Sequence, residues 1–385
     1  MVTRTLAGRL AGVSRLPTAL QAVLGYYADS GVFDRDAISL KRETDDRLKR
    51  IVTDVFDPVE TALAAEFGRE SVDFDYDTKL LLPAQLTLGY VYREARRLSD
   101  DEPVGTEIAD GLPEVSASTM TGGVNLSPEE QVHRAERMTR LAVEALLDGD
   151  MRDAINDGEY EDFEVDFPVD ADGRERVATV AQSTLEESMR KKLAELPGIA
   201  ADRYEAAVDY SEAHQDRDGH FRELLQAAQQ GEDDAIGAIR EEYRDVEYDD
   251  PPDIFDETER SLPYSRTQYA RVGILYDAML ELYRMAGLRI DRSFSKAIVL
   301  SIIGAQIWLD DVDDYAEDLA EGQLTPVTAE YQLADTDRAA YENVCRITEQ
   351  YLDSSKEHAT AADSALTGIA VEYIYRSGQP DVLPK

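Results

Sequence analysis

The chain holds a single cysteine, Cys345, among 385 residues, so it cannot close an internal disulfide and is no disulfide-stapled scaffold. Lysine is nearly as scarce, with eight Lys beside thirty-two Arg. These 40 basic residues face 80 acidic ones, a formal charge of −40. No basic stripe exists that would release counterions from a phosphate backbone, which argues against non-specific nucleic-acid binding. Long apolar runs are missing too. The longest, 297–309, has 13 residues, short of the roughly 20 that span a bilayer. The N-terminus scatters Arg4, Arg9 and Arg15 among apolar residues and lacks the basic-then-apolar order of an export signal. P-loop, GxGxxG and GxSxG patterns do not occur, so nucleotide binding or serine hydrolysis by those means is not expected. Together these absences lead to the expectation of a cytoplasmic chain with no transmembrane segment.

What the chain has in excess is acid. A folded protein so charged repels itself, and that repulsion fades in molar salt, where the Debye length falls to about 3 Å. Abundant Asp and Glu with little Lys look like the composition of a halophilic cytoplasmic protein. At 43% hydrophobic residues the chain can still bury a large core. Apolar residues recur at three- and four-residue spacing near 15–28, 39–68, 83–99, 127–148, 173–196, 199–213, 218–243, 264–286, 293–321, 328–354 and 360–376. Ser127-Pro128-Glu129-Glu130 marks one helix start, with a capping Ser and acids in the first turn. Alternating patterns are confined to Val72–Tyr76 and 163–169. The pattern predicts an all-α protein, a multi-helix bundle forming one large domain over 1–385. Residues 99–126, 148–173 and 244–263 are predicted to be long acidic or Gly/Pro-rich loops.

The segment 297–327, AIVLSIIGAQIWLDDVDDYAEDLAEGQLTPV, concentrates the chemistry. Its first half is apolar nearly all round, the mark of a helix buried on every side. Its second half places Asp310, Asp311, Asp313, Asp314, Glu317, Asp318 and Glu321 within twelve positions. On a continuous helix Asp310, Asp314, Glu317 and Glu321 share one stripe, with Asp318 beside it. Traced backwards, that stripe runs through Gln306, Ile303 and Val299, which predicts a helix that lines a cavity and ends at its mouth. Like charges at i,i+3 and i,i+4 repel by roughly 0.2–0.5 kcal/mol per pair. No Lys or Arg lies between Lys296 and Arg338. A hard divalent cation would offset that repulsion, because Mg²⁺ takes oxygen ligands.

The spacing resembles the aspartate-rich motif of class I isoprenoid synthases. Asp314-Tyr-Ala-Glu317-Asp318 followed by Gly322 and Pro326 is similar to the second motif of squalene and phytoene synthases. Asp310-Asp311-Val-Asp-Asp314 fits the DDxxD logic of polyprenyl diphosphate synthases. The run Asp311–Asp314–Asp318–Gly322–Thr325–Pro326 looks like the motif of membrane prenyltransferases, whose transmembrane helices are missing here. The resemblance covers about thirty residues. It implies that Asp310, Asp311, Asp314 and Asp318 hold Mg²⁺ against an allylic diphosphate substrate, with Glu317 and Glu321 in support, for prenyl transfer or terpene cyclisation. It also calls for a second acidic helix, for which Asp148, Asp150 and Asp153 are the nearest candidate, and for basic residues on the diphosphate, for which Arg93, Arg96 and Arg97, or Arg266 and Arg271, are available. Gln323 stands where the squalene and phytoene motif has Arg.

Other constellations are thinner. Glu130-x-x-His133 has the spacing of half a di-iron site, but a complete site needs a second such pair. His214 and His220 flank Asp216 and Asp218 without a calcium-loop series. Cys345 has no neighbouring base and fits a small core residue. The competing reading of the acidic helix is a solvated face on a non-catalytic helical interaction protein, in which the acids serve solubility.

Overall fold

The computed structural model describes residues 2–11, 16–76, 81–101 and 126–385. It is helical almost throughout, as the periodicity predicts. The only paired strands among the described residues are Phe74–Asp75 and Glu164–Val165, joined antiparallel, and they fall inside the two alternating patterns. Contacts gather into two compact units: residues 1–35, 204–278 and 290–385 form the first, and 36–203 with 279–289 the second. Composition gives no warning of this division, because both units are built from the same kind of amphipathic helix.

The second unit rests on four long helices, Asp36–Phe67, Leu82–Asp101, Pro128–Asp157 and Ala171–Ala194. Ser127 caps the third, closing a capping box with Glu130, which satisfies backbone donors that the helix start leaves open. This helix runs nine residues past the predicted end at 148, into the segment read as a loop. Met151 and Ala154 continue its buried face, and Gly158 at φ 79° ends it. Residues 102–125, the bulk of the loop predicted over 99–126, lie outside the described residues.

The first unit is organised around the Arg292–Ala305 helix. Asp291 caps it by accepting from the Ser293 amide at 2.7 Å, and Phe294, Ala297, Ile298, Val299, Leu300 and Ile303 are all buried. Each of these side chains larger than Ala contributes about 1.5–3 kcal/mol by leaving water. Arg292–Asp310, counted through the turn that follows, is long and apolar enough to cross a membrane by length and composition, yet 67% of its apolar window is buried inside the protein. It packs on Asp337–Ala361, where Gly304 lets Leu352 and Tyr351 approach and the Ser355 hydroxyl donates to the Ala297 carbonyl at 2.6 Å. The segment 244–263, predicted as a loop, buries Ile254 and Phe255 and includes a short capped helix, Glu257–Arg260. Its Glu259 pairs with buried Lys296 at 2.7 Å.

Candidate functional site

The apolar helix changes register at its end. Residues Gln306–Asp310 form a π turn, and the Asp311 amide donates to the Gln306 carbonyl at 3.0 Å. Such a turn inserts one residue and re-aims the side chains beyond it. The chain then bends through 311–314 and restarts as Tyr315–Glu321, closed by Gly322 at φ 77°. The single unbroken helix expected over 293–321 is therefore two helices, and the acids are re-sorted. Asp311 (3% exposed) and Asp318 (9%) turn inward. Asp310, Asp313, Asp314, Glu317 and Glu321 keep access to solvent. Of the residues that precede the stripe, Val299 and Ile303 are fully buried and Gln306 half-buried.

Three of these carboxyls hold protons more tightly than an ordinary aspartate. Burial is the main cause in each case. It raises Asp310, with the charge of Asp314 adding to the effect. It pushes Asp318 up to about 6, again with Asp314 adding. Asp311 is raised well above the ordinary carboxylate range, by burial and by the charges of Asp310 and Asp318, against the pull of Arg271. Gln306 donates to Asp310. Within 3.5 Å of Asp311 Oδ2, however, there is no hydrogen-bond partner among the described residues.

Two further π turns, Arg240–Arg244 and Tyr269–Gly273, deliver the groups that face these acids. The first supplies Tyr243, 1% exposed, whose hydroxyl is held protonated by burial and by Asp311, Asp218 and Asp318, against the pull of Arg271. The second supplies Arg271. Burial works against its charge, but Tyr243, Asp311, Asp218 and Asp310 together raise its pKa. Even so, no carboxylate lies within 4 Å of the Arg271 guanidinium among the described residues. His214 stands in the same cluster. Burial first, then Arg271, Arg217 and Arg266, lower its pKa to about 4, so it is neutral at neutral pH. Its ring packs against Phe221 at 5.8 Å, over which Arg217 also lies. The Ser211 hydroxyl, one turn earlier, donates to the Arg271 carbonyl at 3.4 Å.

Behind Tyr243 the backbone is tightly held. Tyr264 meets it edge-on at 5.7 Å and adopts φ 64°, a left-handed conformation that is costly for a bulky side chain. Its amide donates to the Arg244 carbonyl at 2.6 Å. Its hydroxyl donates to Glu330 at 2.8 Å, and the Arg244 Nε donates to the same oxygen at 2.7 Å.

The remaining sequence candidates divide by environment. Arg96 pairs with Glu43 and Arg97 with Glu94, Arg93 has partners of its own, and all three belong to the second unit. Arg266 pairs with Asp249 at 2.6 Å. Asp148 also lies in the second unit, where Arg152 and Gln182 donate to it at 2.8 and 2.9 Å. Asp150 sits beside Tyr76, and Asp153 is exposed. Glu130 is occupied by its capping box. Tyr243, His214 and Asp218 were not singled out by sequence as partners of the acidic run. They come from other helices, and no local pattern ties them to it. Among the described residues, no three Asp, Glu, His or Cys side chains converge closely enough to enclose an ion unaided. Neither a protein-family model, nor a curated protein, nor a solved structure matches the chain.

Proposed function

We propose that the chain is a Mg²⁺-dependent isoprenoid-diphosphate enzyme of class I isoprenoid synthase-like fold, acting by prenyl transfer or terpene cyclisation. One observation carries the reading: among the described residues a buried carboxylate oxygen of Asp311 lacks a hydrogen-bond partner, and it stands in the same cluster as Arg271, which has no carboxylate within 4 Å yet is coupled to the charge of Asp311. Opposite charges that couple without bonding leave room for a ligand with two faces, cationic toward the acids and anionic toward the arginine. A Mg²⁺–diphosphate has both. The residues present fit it, because Mg²⁺ is usually held by one or two carboxylates plus substrate phosphates and water, so a full protein cage is not required.

Of Asp310, Asp311, Asp314 and Asp318, one or two would hold the metal together with the phosphates and water, and the metal would supply Lewis-acid stabilisation of a departing diphosphate. Arg271 would bind phosphate oxygens through its planar fork of donors. Tyr243 keeps its proton and can donate a hydrogen bond, while neutral His214 can accept one. The apolar end of the Arg292–Ala305 helix keeps water from the inner side of the cluster, the condition a reactive carbocation needs.

The test is a thermal-shift titration in molar KCl with Mg²⁺, with an allylic diphosphate, and with both. Stabilisation that requires both ligands is expected, and Asp314→Asn and Arg271→Gln should each abolish it while leaving the ligand-free melting temperature within a few degrees. Absence of any shift in the wild-type protein refutes the proposal and returns the acidic helix to a solubility role.

A further inference from the structure

The first 28 residues contain no Asp or Glu, where the chain average would place about six, and they carry three Arg. In this acidic protein that is the longest acid-free stretch. Its described part forms two helices, Val2–Ala11 and Thr18–Ser30, packed on each other within the first unit. The second helix buries Ala22, Gly25 and Tyr26. Helical spacing turns Leu20, Val23, Leu24 and Tyr27 to the opposite side, a continuous apolar stripe at i, i+3, i+4 and i+7. Leu20 is 45% exposed, and Val23, Leu24 and Tyr27 are only half-buried. Phe33 (53% exposed) meets Tyr27 edge-on and widens the apolar surface, and Leu10 on the neighbouring helix is exposed as well, at 41%. Exposed Arg9 lies on the neighbouring helix, and Arg4 donates to the Ala28 carbonyl at 3.0 Å, which fixes a positive charge beside the C-terminal turn of the stripe.

We infer that this face docks the protein on an anionic lipid surface. An apolar stripe flanked by arginines is what an interfacial helix presents to headgroups and the first acyl carbons. Charge selects this occupant over a second copy of the chain. Two copies meeting through the same face would set arginine against arginine, and the acidic remainder of another copy would leave the apolar stripe unmatched. The inference stands apart from the diphosphate reading, since it uses none of the residues around Asp311.

The test is flotation of the full chain with vesicles of phosphatidylcholine alone and of phosphatidylcholine with about one-third phosphatidylglycerol, at low and at molar salt. The protein is expected to float with the anionic vesicles and to do so less at high salt. Arg9→Gln should weaken partitioning about five-fold, the effect of one basic residue near an anionic surface. Leu20→Asp and Phe33→Asp should each remove the protein from the vesicle fraction with an unchanged melting temperature, because both positions face outward. Leu20→Ser serves as a milder variant should the aspartate disturb folding. No flotation of the wild type, or flotation unaffected by Leu20→Asp and Phe33→Asp, overturns the inference. So does a dimer in light scattering that Leu20→Asp dissolves without any vesicle binding, since the face would then belong to a second copy.

Discussion

Two carboxylates in the first unit are almost equally buried, Asp311 at 3% exposure and Glu330 at 1%, and neutralising them should have opposite effects. Glu330 accepts from Arg244 at 2.7 Å and from Tyr264 at 2.8 Å. Removing one partner of a buried, bonded pair typically costs about 3–5 kcal/mol. Arg244 keeps some solvent access at 19%, so Glu330→Gln should fall at the lower end, about 3 kcal/mol. Asp311 has an oxygen with no hydrogen-bond partner among the described residues and a pKa raised by burial and by the charges of Asp310 and Asp318, against the pull of Arg271. An unmet buried polar group costs about 1–3 kcal/mol, and Asp311→Asn relieves the charge while keeping the shape. Without metal the variant should therefore be more stable than wild type, by roughly 2–4 °C in melting temperature per kcal/mol for a unit of this size. The pH dependence follows from the direction of the shift. A carboxyl whose folded pKa is raised stabilises the folded state below its ordinary pKa and loses that contribution as pH rises through the folded value. The advantage of Asp311→Asn should thus be greatest at neutral pH and shrink as pH falls toward the ordinary carboxylate range. Differential scanning calorimetry in molar KCl with EDTA, at pH 7 and pH 4.5, reads both effects. If Asp311→Asn destabilises the metal-free protein as Glu330→Gln does, Asp311 is a structural acid and the reasoning fails.

Two further outcomes follow from the same structure. His214, held to about 4 against an ordinary 6.5, charges more readily unfolded than folded, so its contribution to stability drops as pH falls from about 6.5 toward 4, reaching a loss of about 2 kcal/mol by pH 5; His214→Gln should lack this component in urea melts compared at pH 7 and pH 5, and identical pH profiles would contradict the placement of His214 among the arginines. At Gly304 an added Cβ would lie 2.6 Å from Leu352 Cδ2 and 3.3 Å from Tyr351 Cβ, so Gly304→Ala should overpack the helix crossing and cost about 1–3 kcal/mol in urea midpoint, while an unchanged midpoint would mean that the crossing is loose.

The helices were legible because burial on one face imposes a period that sequence carries directly. Their ends were less so. Nothing at residue 148 tells that Met151 and Ala154 find a core to continue into, and the period through 218–243 hides the break at Gly231, which takes φ 83°. The acidic run was legible by density alone. Its geometry was not, since one residue added in the π turn at 306–310 moves Asp311 inside and leaves Glu317 and Glu321 in solvent. Arginines posed the same difficulty. Arg93, Arg96 and Arg97 form a denser basic cluster in sequence than Arg271 does, yet Arg96 and Arg97 meet Glu43 and Glu94. Whether an arginine is paired depends on what the fold brings to it, and composition holds no record of that.

Three π turns among the described residues, at Arg240–Arg244, Tyr269–Gly273 and Gln306–Asp310, all belong to one unit and all lead to one cluster. Each departs from the regular α-helical register, and such turns collect at functional sites. The left-handed Tyr264 adds a cost of about 1–3 kcal/mol, and the orphaned oxygen of Asp311 adds another. A unit shaped by stability alone would relieve these costs one at a time, as they sit on separate helices and can be altered separately. Their coincidence around Asp310, Asp311, Asp318 and Arg271 is most economically explained by a ligand, because a ligand that binds only the folded state returns stability in proportion to its affinity and makes the strained arrangement the favoured one.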